Sequence, residues 1–253
     1  MKSICLVDLG ENDRSGYVIG ACLPATSPAY SPSLDIAFYR QSWGWNDEIS
    51  HFHTESEEFL IVLKGRIDLL IDQSIVSVPA GQLLGMRAGV PHKILHVDAP
   101  VECLSIRIPG GGKDIVFSSR LANQPPDVDA DRQIIQLDLC TVMHNYPLGA
   151  LLPRAHPNYT NSLDLTCVWG ADPMQEWSSE PSHSHSFREE YYFLLRGQMD
   201  FEIDGQQLRL RANQILGVHP PQYHHITGGQ GPVDVLIVRV PGGRDDKRVE
   251  ETE

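Results

Sequence analysis

The sequence predicts an all-β protein built of two tandem sandwich or barrel units. Three observations carry this expectation. One residue pattern occurs twice at a fixed spacing, each copy reads as short β-compatible runs closed by turn residues, and long amphipathic helical windows are absent. The 253 residues divide into halves of ordinary size for a small all-β unit, and the apolar share of 41% suffices for a core in each.

Each unit begins with an extended, proline-punctuated arm. Tyr17, Gly20, Ala21, Leu23, Pro24, Pro28, Tyr30, Ser33, Leu34 and Asp35 return as Tyr146, Gly149, Ala150, Leu152, Pro153, Pro157, Tyr159, Ser162, Leu163 and Asp164, an offset of 129 (146−17). Downstream the offset is 132 (183−51), so the second copy holds three extra residues, near Asp172-Pro173-Met174. A period this long marks two whole domains rather than a solenoid. Next come the strands. An apolar run from Glu58 ends at Gly65, Arg66 to Asp72 follows, and Ser74 to Val78 leads into the turn Pro79-Ala80-Gly81. The second copy runs from Glu190 to Gly197 and on to the hairpin signal Asp204-Gly205. The expected boundaries are a first domain at 1–119, a linker at 120–132 around Pro125-Pro126, a second domain at 133–244 and a charged, fraying tail at 245–253.

The repeated pattern has the chemistry of a metal site. His51, His53, Glu58 and His92 recur as His183, His185, Glu190 and His224, each 132 residues on (183−51, 185−53, 190−58, 224−92). Gly65 and Gly197, Pro109 and Pro241, and Gly110 and Gly242 keep the same step. Residues i and i+2 of a strand share a face, so His51 and His53 aim two imidazoles at one point. The turn Thr54-Glu55-Ser56 lets Glu58 enter from the next strand, and His92 arrives after the turn Arg87-Ala88-Gly89-Val90-Pro91. Three neutral imidazoles and one carboxylate suit a divalent transition metal: Fe(II) or Mn(II) first, then Ni, Co or Zn. Four such ligands on a six-coordinate ion leave two positions for chemistry.

His51-Phe52-His53 with Glu58 and Gly65, followed by Gly81 and Gly89-Val90-Pro91-His92, resembles the two sequence motifs of the cupin superfamily. His183-Ser184-His185, Glu190, Gly197 and Pro221-Gln222-Tyr223-His224 match them again, so the chain resembles a bicupin over nearly its whole length. The resemblance implies two jelly-roll (double-stranded β-helix) barrels, each with a three-His, one-Glu metal set on the residues named. It leaves the reaction open, because relatives include dioxygenases, decarboxylases, isomerases, lyases, epimerases and storage proteins. Pro221 stands where the second motif usually has glycine, and Asn213 stands at the position of Gly81. Glu57 and Glu189 precede the assigned ligands. Glu58 and Glu190 are preferred because they keep the seven-residue step to Gly65 and Gly197.

The leading functional expectation is a metal-dependent enzyme acting on a small organic molecule, a dioxygenase of the Fe(II) type. The alternatives are a redox-neutral isomerase, lyase or decarboxylase, and a non-catalytic binding or storage protein. Strand alternation points Leu60, Val62, Tyr192 and Leu194 inward, and with Phe201 the apolar positions would line a partly dry cavity. Tyr192 is the candidate catalytic residue, donating to a metal-bound substrate; its alternative role is to fill the barrel. His96 is a weaker candidate for the cavity, whereas His225 should face away and His144 and His156 should be solvated. Arg107 and Arg239 repeat in the last strand, where each could hold a substrate carboxylate or brace a strand.

A net charge of −13, from 20 Lys+Arg against 33 Asp+Glu, argues against nucleic acid or an anionic membrane as partner. A small-molecule substrate remains, with the protein a monomer or homo-oligomer. Met1 to Asp8 is too short an apolar run for a signal peptide. Cys5, Cys22, Cys103, Cys140 and Cys167 form no CxxC pair and read as reduced, mostly buried thiols of a cytoplasmic protein.

Overall fold

The structure, a computed structural model, describes residues 4–10, 16–41, 48–117, 134–142, 145–177, 179–243 and 246–250. The expected linker at 120–132 and His144 lie outside them. Among the described residues no helix is long and apolar enough to cross a membrane. Among the described residues the strands form two antiparallel sheets of nine strands each.

In the first sheet the strands are β2 (Gly16–Gly20), β3 (Asp35–Gln41), β4 (His51–His53), β5 (Glu57–Ile71), β6 (Ser74–Pro79), β7 (Gln82–Met86), β8 (His92–Ile108), β9 (Ile115–Phe117) and β10 (Ile134–Asp138). The long strands β5 and β8 form its spine. The first part of β5 pairs with β7 and the second with β6, so the strand serves two partners along its length. Gly65 marks the change. Its φ is +78°, and a Cβ there would lie 2.7 Å from the carbonyl oxygens of Asp98 and Pro100, so only glycine fits. Before the bend, Phe59 to Val62 are buried on both faces, which explains their unbroken apolar run. After it, Ile67, Leu69 and Ile71 alternate inward with more exposed Asp68 and Leu70.

The second sheet repeats the plan with β11 (Asn145–Gly149), β12 (Asp164–Ala171), β13 (His183–His185), β14 (Glu189–Ile203), β15 (Gln206–Arg211), β16 (Gln214–Val218), β17 (His224–Val240) and β18 (Lys247–Val249). Gly197 takes the place of Gly65, with φ +84°. Asn213, in the place of Gly81, also has positive φ (+64°), a conformation asparagine tolerates better than most side chains. The segment with the three extra residues contains α1 (Pro173–Glu176), a single turn capped by Asp172, whose carboxylate accepts from Met174 N at 2.9 Å; proline occupies the first helical position. The repeated aspartates of the arm also have a reason. Asp35 accepts from the amides of Cys22 (2.9 Å) and Gly111 (2.6 Å), and Asp164 from those of Leu151 (3.0 Å) and Gly243 (2.7 Å), so each buried carboxylate ties down two loops.

Two strands differ from the sequence boundaries. β1 (Cys5–Asp8) adds to β16 of the second sheet, and β10 adds to β7 of the first. The compact units are therefore Asp13–Thr141, and Met1–Asn12 together with Val142–Glu253. The cause is an open edge on β7 and β16, whose amides and carbonyls need partners. Gly85 and Gly217 let the added strand lie close. A Cβ at Gly85 would come within 3.3 Å of Ile135, and one at Gly217 within 3.2 Å of Cys5. The tail also departs from expectation: Lys247–Val249 pairs with β13 rather than fraying. Its side chains are exposed, which makes the composition look like a loose end while the backbone is paired.

Candidate metal centres

Both four-residue sets converge. In each group the ligand atoms of the three histidines and the glutamate lie within 4.8 Å of one another. The strands impose this. β4 delivers His51 and His53 from one face, β8 brings His92 beside His51 in register, and β5 carries Glu58. β13, β17 and β14 do the same for His183, His185, His224 and Glu190. The one-residue ambiguity resolves as expected. Glu57 instead binds Arg87 (2.7 Å), and Glu189 accepts from Tyr191 Oη (3.0 Å) and meets His219 Nδ1 (3.0 Å).

The hydrogen bonds fix the tautomers. Nδ1 of His51, His92, His183 and His224 donates to the carbonyl two residues earlier, at 3.0, 2.9, 3.0 and 3.2 Å. The remaining histidines use a carboxylate. His53 Nδ1 lies 3.4 Å from Asp114 Oδ1, and His185 Nδ1 lies 3.0 Å from Asp246 Oδ1. Every Nε2 is left with its lone pair turned inward, the arrangement that orients imidazoles on a metal.

The inward atoms need a positive charge. His53 Nε2 and His92 Nε2 both lie 3.2 Å from Glu58 Oε2, and His224 Nε2 lies 3.0 Å from Glu190 Oε2. With Nδ1 already donating, a neutral ring offers Glu only a lone pair, so lone pair faces lone pair. His185 Nε2 is buried without a hydrogen-bond partner. A divalent ion satisfies all of these atoms, since neighbouring donors about 2.1 Å from an ion sit roughly 3 Å from one another. The residues therefore fit a metal in both groups. Electrostatics agree. Burial pushes the Glu58 and Glu190 carboxyls up, but the facing histidines outweigh it and hold both well below the usual range. Burial lowers His51, and it lowers His183 to about 4 with help from His224 and Lys247. Burial also lowers His92 and His185, but their carboxylate partners outweigh it and the net shift is upward.

The other candidates sort by geometry. Tyr192 lines the second cavity beside Glu190, and burial followed by that charge raises its phenol well above the usual value. Leu60, Val62, Leu194 and Phe201 are buried in the cores of the two barrels, and of the four Leu60 also walls a small recess beside Glu58 and His92. His96 is not in the cavity; it is exposed, 3.0 Å from Asp98. A register shift between Asp68 and Leu69 in the β5–β8 ladder breaks the alternation counted from His92. His225 is partly exposed next to its ligand neighbour, and His156 is exposed, with its Nδ1 accepting from Asn158 N. No disulfide forms among the described residues; Cys5, Cys103 and Cys167 are buried, whereas Cys22 and Cys140 are exposed.

Several site residues escape the sequence reading. Asp114 and Asp246 were detectable, since they keep the 132 step (246−114), but a single carboxylate outside a motif attracts no notice. Glu48 and Glu180, on the cavity walls, keep it too (180−48). Tyr39 lines the first cavity, and its counterpart at the arm offset of 129 is Val168 (168−39), so no repeat reveals it.

Comparison with known proteins now bears on these two groups. The model of the family described as "Cupin domain" matches residues 43–107 and 174–239, once over each ligand set. The chain belongs to the cupin family. No curated protein matches the sequence. Among solved structures, oxalate decarboxylase from Bacillus subtilis at pH 4.6 is 14% identical with a TM-score of 0.55, covering 98% of this chain and 78% of the other. The Escherichia coli protein Ylba is 13% identical with a TM-score of 0.60, covering 96% and 93%. At such identities the likeness shows the fold: two tandem cupin jelly-roll barrels.

Proposed function

We propose that the protein is a metal-dependent enzyme that performs redox-neutral proton-transfer chemistry, of the lyase, isomerase or decarboxylase kind, on a small polar molecule. One observation carries this reading: groups able to hold or move a proton stand around each ligand set. The first cavity, about 330 Å³, has Tyr39 and Glu48 on its walls. The second, about 240 Å³, has Tyr192, Glu176 and Glu180. Burial raises the Glu48 carboxyl and the Tyr39 phenol, so both tend to keep their protons. A bound divalent ion would act as a Lewis acid toward a chelated substrate oxygen. The neighbouring oxalate decarboxylase is one example of a decarboxylase on this fold. A small molecule as partner, in place of nucleic acid or membrane, accords with the charge of −13.

A dioxygenase is the second reading, and a specific feature favours it. Behind Glu58 and His92 lies a recess of about 30 Å³ walled in part by Leu60, Leu69, Ile94 and Cys103. Its size and apolar wall suit a small gas. The test is a substrate screen of small polar acids, alcohols and ketones with the Mn(II), Zn(II) and Fe(II) forms, with and without O2. Anaerobic product from the Mn(II) or Zn(II) form supports the proposal. Product only from the Fe(II) form with O2 uptake moves the assignment to the dioxygenase. Two bound metals with no product in any form would leave a binding protein.

A further inference from the structure

The two repeated arginines occupy equivalent places and do different things. In the ladders, Arg107 lies across from Glu58 and Asp35, and Arg239 across from Glu190 and Asp164. Side chains in register point to the same side of a sheet, so each guanidinium reaches the cavity wall beside a ligand glutamate. Arg107 belongs to the first cavity's wall, with its guanidinium 5.5 Å from the centre of the Tyr17 ring, but it is 4% exposed, its Nη2 donates to Asp35 Oδ2 at 2.5 Å, and its Nε is buried without a hydrogen-bond partner. Its Nη2 is tied to Asp35 and almost none of the residue is open to a ligand. Arg239 is half-buried and lines the second cavity, with its guanidinium 5.0 Å from the centre of the Tyr146 ring. Among the described residues no carboxylate oxygen is within ion-pair distance of it. Asp164, the counterpart of Asp35, keeps the equivalent bonds from the Leu151 and Gly243 amides, but its carboxylate lies beyond ion-pair distance of Arg239.

We infer that the second cavity recognises a carboxylate group of its ligand through Arg239, and that the first cavity lacks this capacity. The inference rests on the metal-dependent reading and deepens it by naming a substrate class: small acids whose second donor, a hydroxyl or carbonyl oxygen, reaches the His183, His185, Glu190 and His224 group. A guanidinium stacked on a ring presents its N–H edge in a fixed plane, which matches the two oxygens of a carboxylate. The rest of the wall fits. Lys247 replaces Ile115 of the first barrel at the 132 step (247−115) and adds a second cation, although Glu180 holds its Nζ at 2.8 Å. At the first cavity the corresponding rim is apolar, with Ile49, Ile115 and Phe117.

The test is modification of arginines in the native protein with 2,3-butanedione, followed by peptide mass spectrometry. It is run on metal-free and Mn(II)-loaded protein, with lactate and pyruvate against lactamide and pyruvamide. Arg239 should react and be protected by the acids but not by the amides, while Arg107 stays unreactive. Calorimetry should show that the acids bind on the order of tenfold to a hundredfold more tightly than the amides, a preference lost in Arg239→Met and only partly kept in Arg239→Lys. Protection of Arg239 by amides as well as acids, no protection by acids, or an unreactive Arg239 would overturn the inference. Metal analysis separates the two claims. Protein that binds no metal but shows acid-specific protection keeps the carboxylate site and loses the metal reading. Protein with two metals and no acid preference does the reverse.

Discussion

The first and second barrels share their ligand frame and differ in nearly everything around it. The inward Nε2 atoms, the carbonyls that fix four of the histidines, and the aspartate behind the fifth and sixth are the same in both. The walls are not. Ser105 donates to Glu58 at 2.7 Å, and Ile237 stands in its place (237−105). The tyrosine comes from β3 in the first barrel and from β14 in the second, and one arginine is locked where the other is open. Duplication preserved the two ligand sets and left the cavity walls to diverge, so the barrels are alike as candidate metal sites and differ in what lines them.

Removing a ligand should break the comparison most sharply. His92→Ala is expected to take metal content from two equivalents per chain to one, emptying the first barrel, and His224→Ala to empty the second. Metal analysis of protein purified without chelator or a nickel column reads this directly. Unchanged stoichiometry in both variants would refute the ligand assignment.

The aspartates come next. Loss of an outer hydrogen bond to a metal-bound histidine weakens binding by about tenfold to a hundredfold. Asp246 lies 3.0 Å from its histidine and gains an ion pair from Arg188 Nη1 at 3.1 Å, whereas Asp114 lies 3.4 Å from its own and is held instead by the amides of Ser56 (2.7 Å) and Glu55 (3.3 Å). Asp246→Asn should therefore cost more metal affinity than Asp114→Asn, measured by competition with a chelating dye. An equal loss would make the outer frames equivalent as well.

Acid should act on the two barrels alike. His92 and His185 both have pKa values raised above the usual 6.5, so each is protonated in the metal-free protein as pH falls through that raised value. A proton on either competes with the ion, so affinity should begin to drop at or above pH 6.5, by up to about tenfold per unit for each competing proton. His51 and His183, shifted downward, should add little there. Retention of both ions with undiminished affinity at pH 5 would contradict this.

The smallest effect on metal content concerns the tyrosines. Tyr39→Phe and Tyr192→Phe should leave metal content at two and slow turnover only in the barrel that carries the substituted residue, by about a hundredfold or more for a proton-transfer group. The Tyr192 variant alone affecting the rate would place the chemistry in the second barrel. Tyr39 alone would place it in the first.

What the sequence made legible follows from what a repeat can display. The ligands were readable because four chemically matched residues recur in register and strand alternation gives them one face. Glu58 and Glu190 could be chosen over their neighbours from the spacing to a bend glycine, and the extra residues near Asp172 could be located from the change of offset. His96 stays a weak candidate in the sequence because one irregular step in a ladder changes which face the later side chains take, and single-strand periodicity cannot show where that step falls. The tail from Asp246 was misread because its side chains advertise solvent while its backbone is paired. The partners of β1 and β10 depend on which distant edge is open. Arg107 and Arg239 look identical in one dimension, and only the position of a nearby aspartate separates them.

The placement of β1 bears on how the molecule is made. β1 is synthesised before the first barrel, yet the strand it pairs with, β16, is synthesised only after the entire unit Asp13–Thr141. The first barrel can close as soon as β10 emerges, while β1 must wait, unpaired, for a partner near residue 215. In chain topology the first barrel is an insertion inside the second. A cut at the linker would leave each fragment with a stray strand, β1 or β10, and an uncovered sheet edge, on β7 or β16, whereas a cut just after β10 would leave only β1 stray and only β16 uncovered.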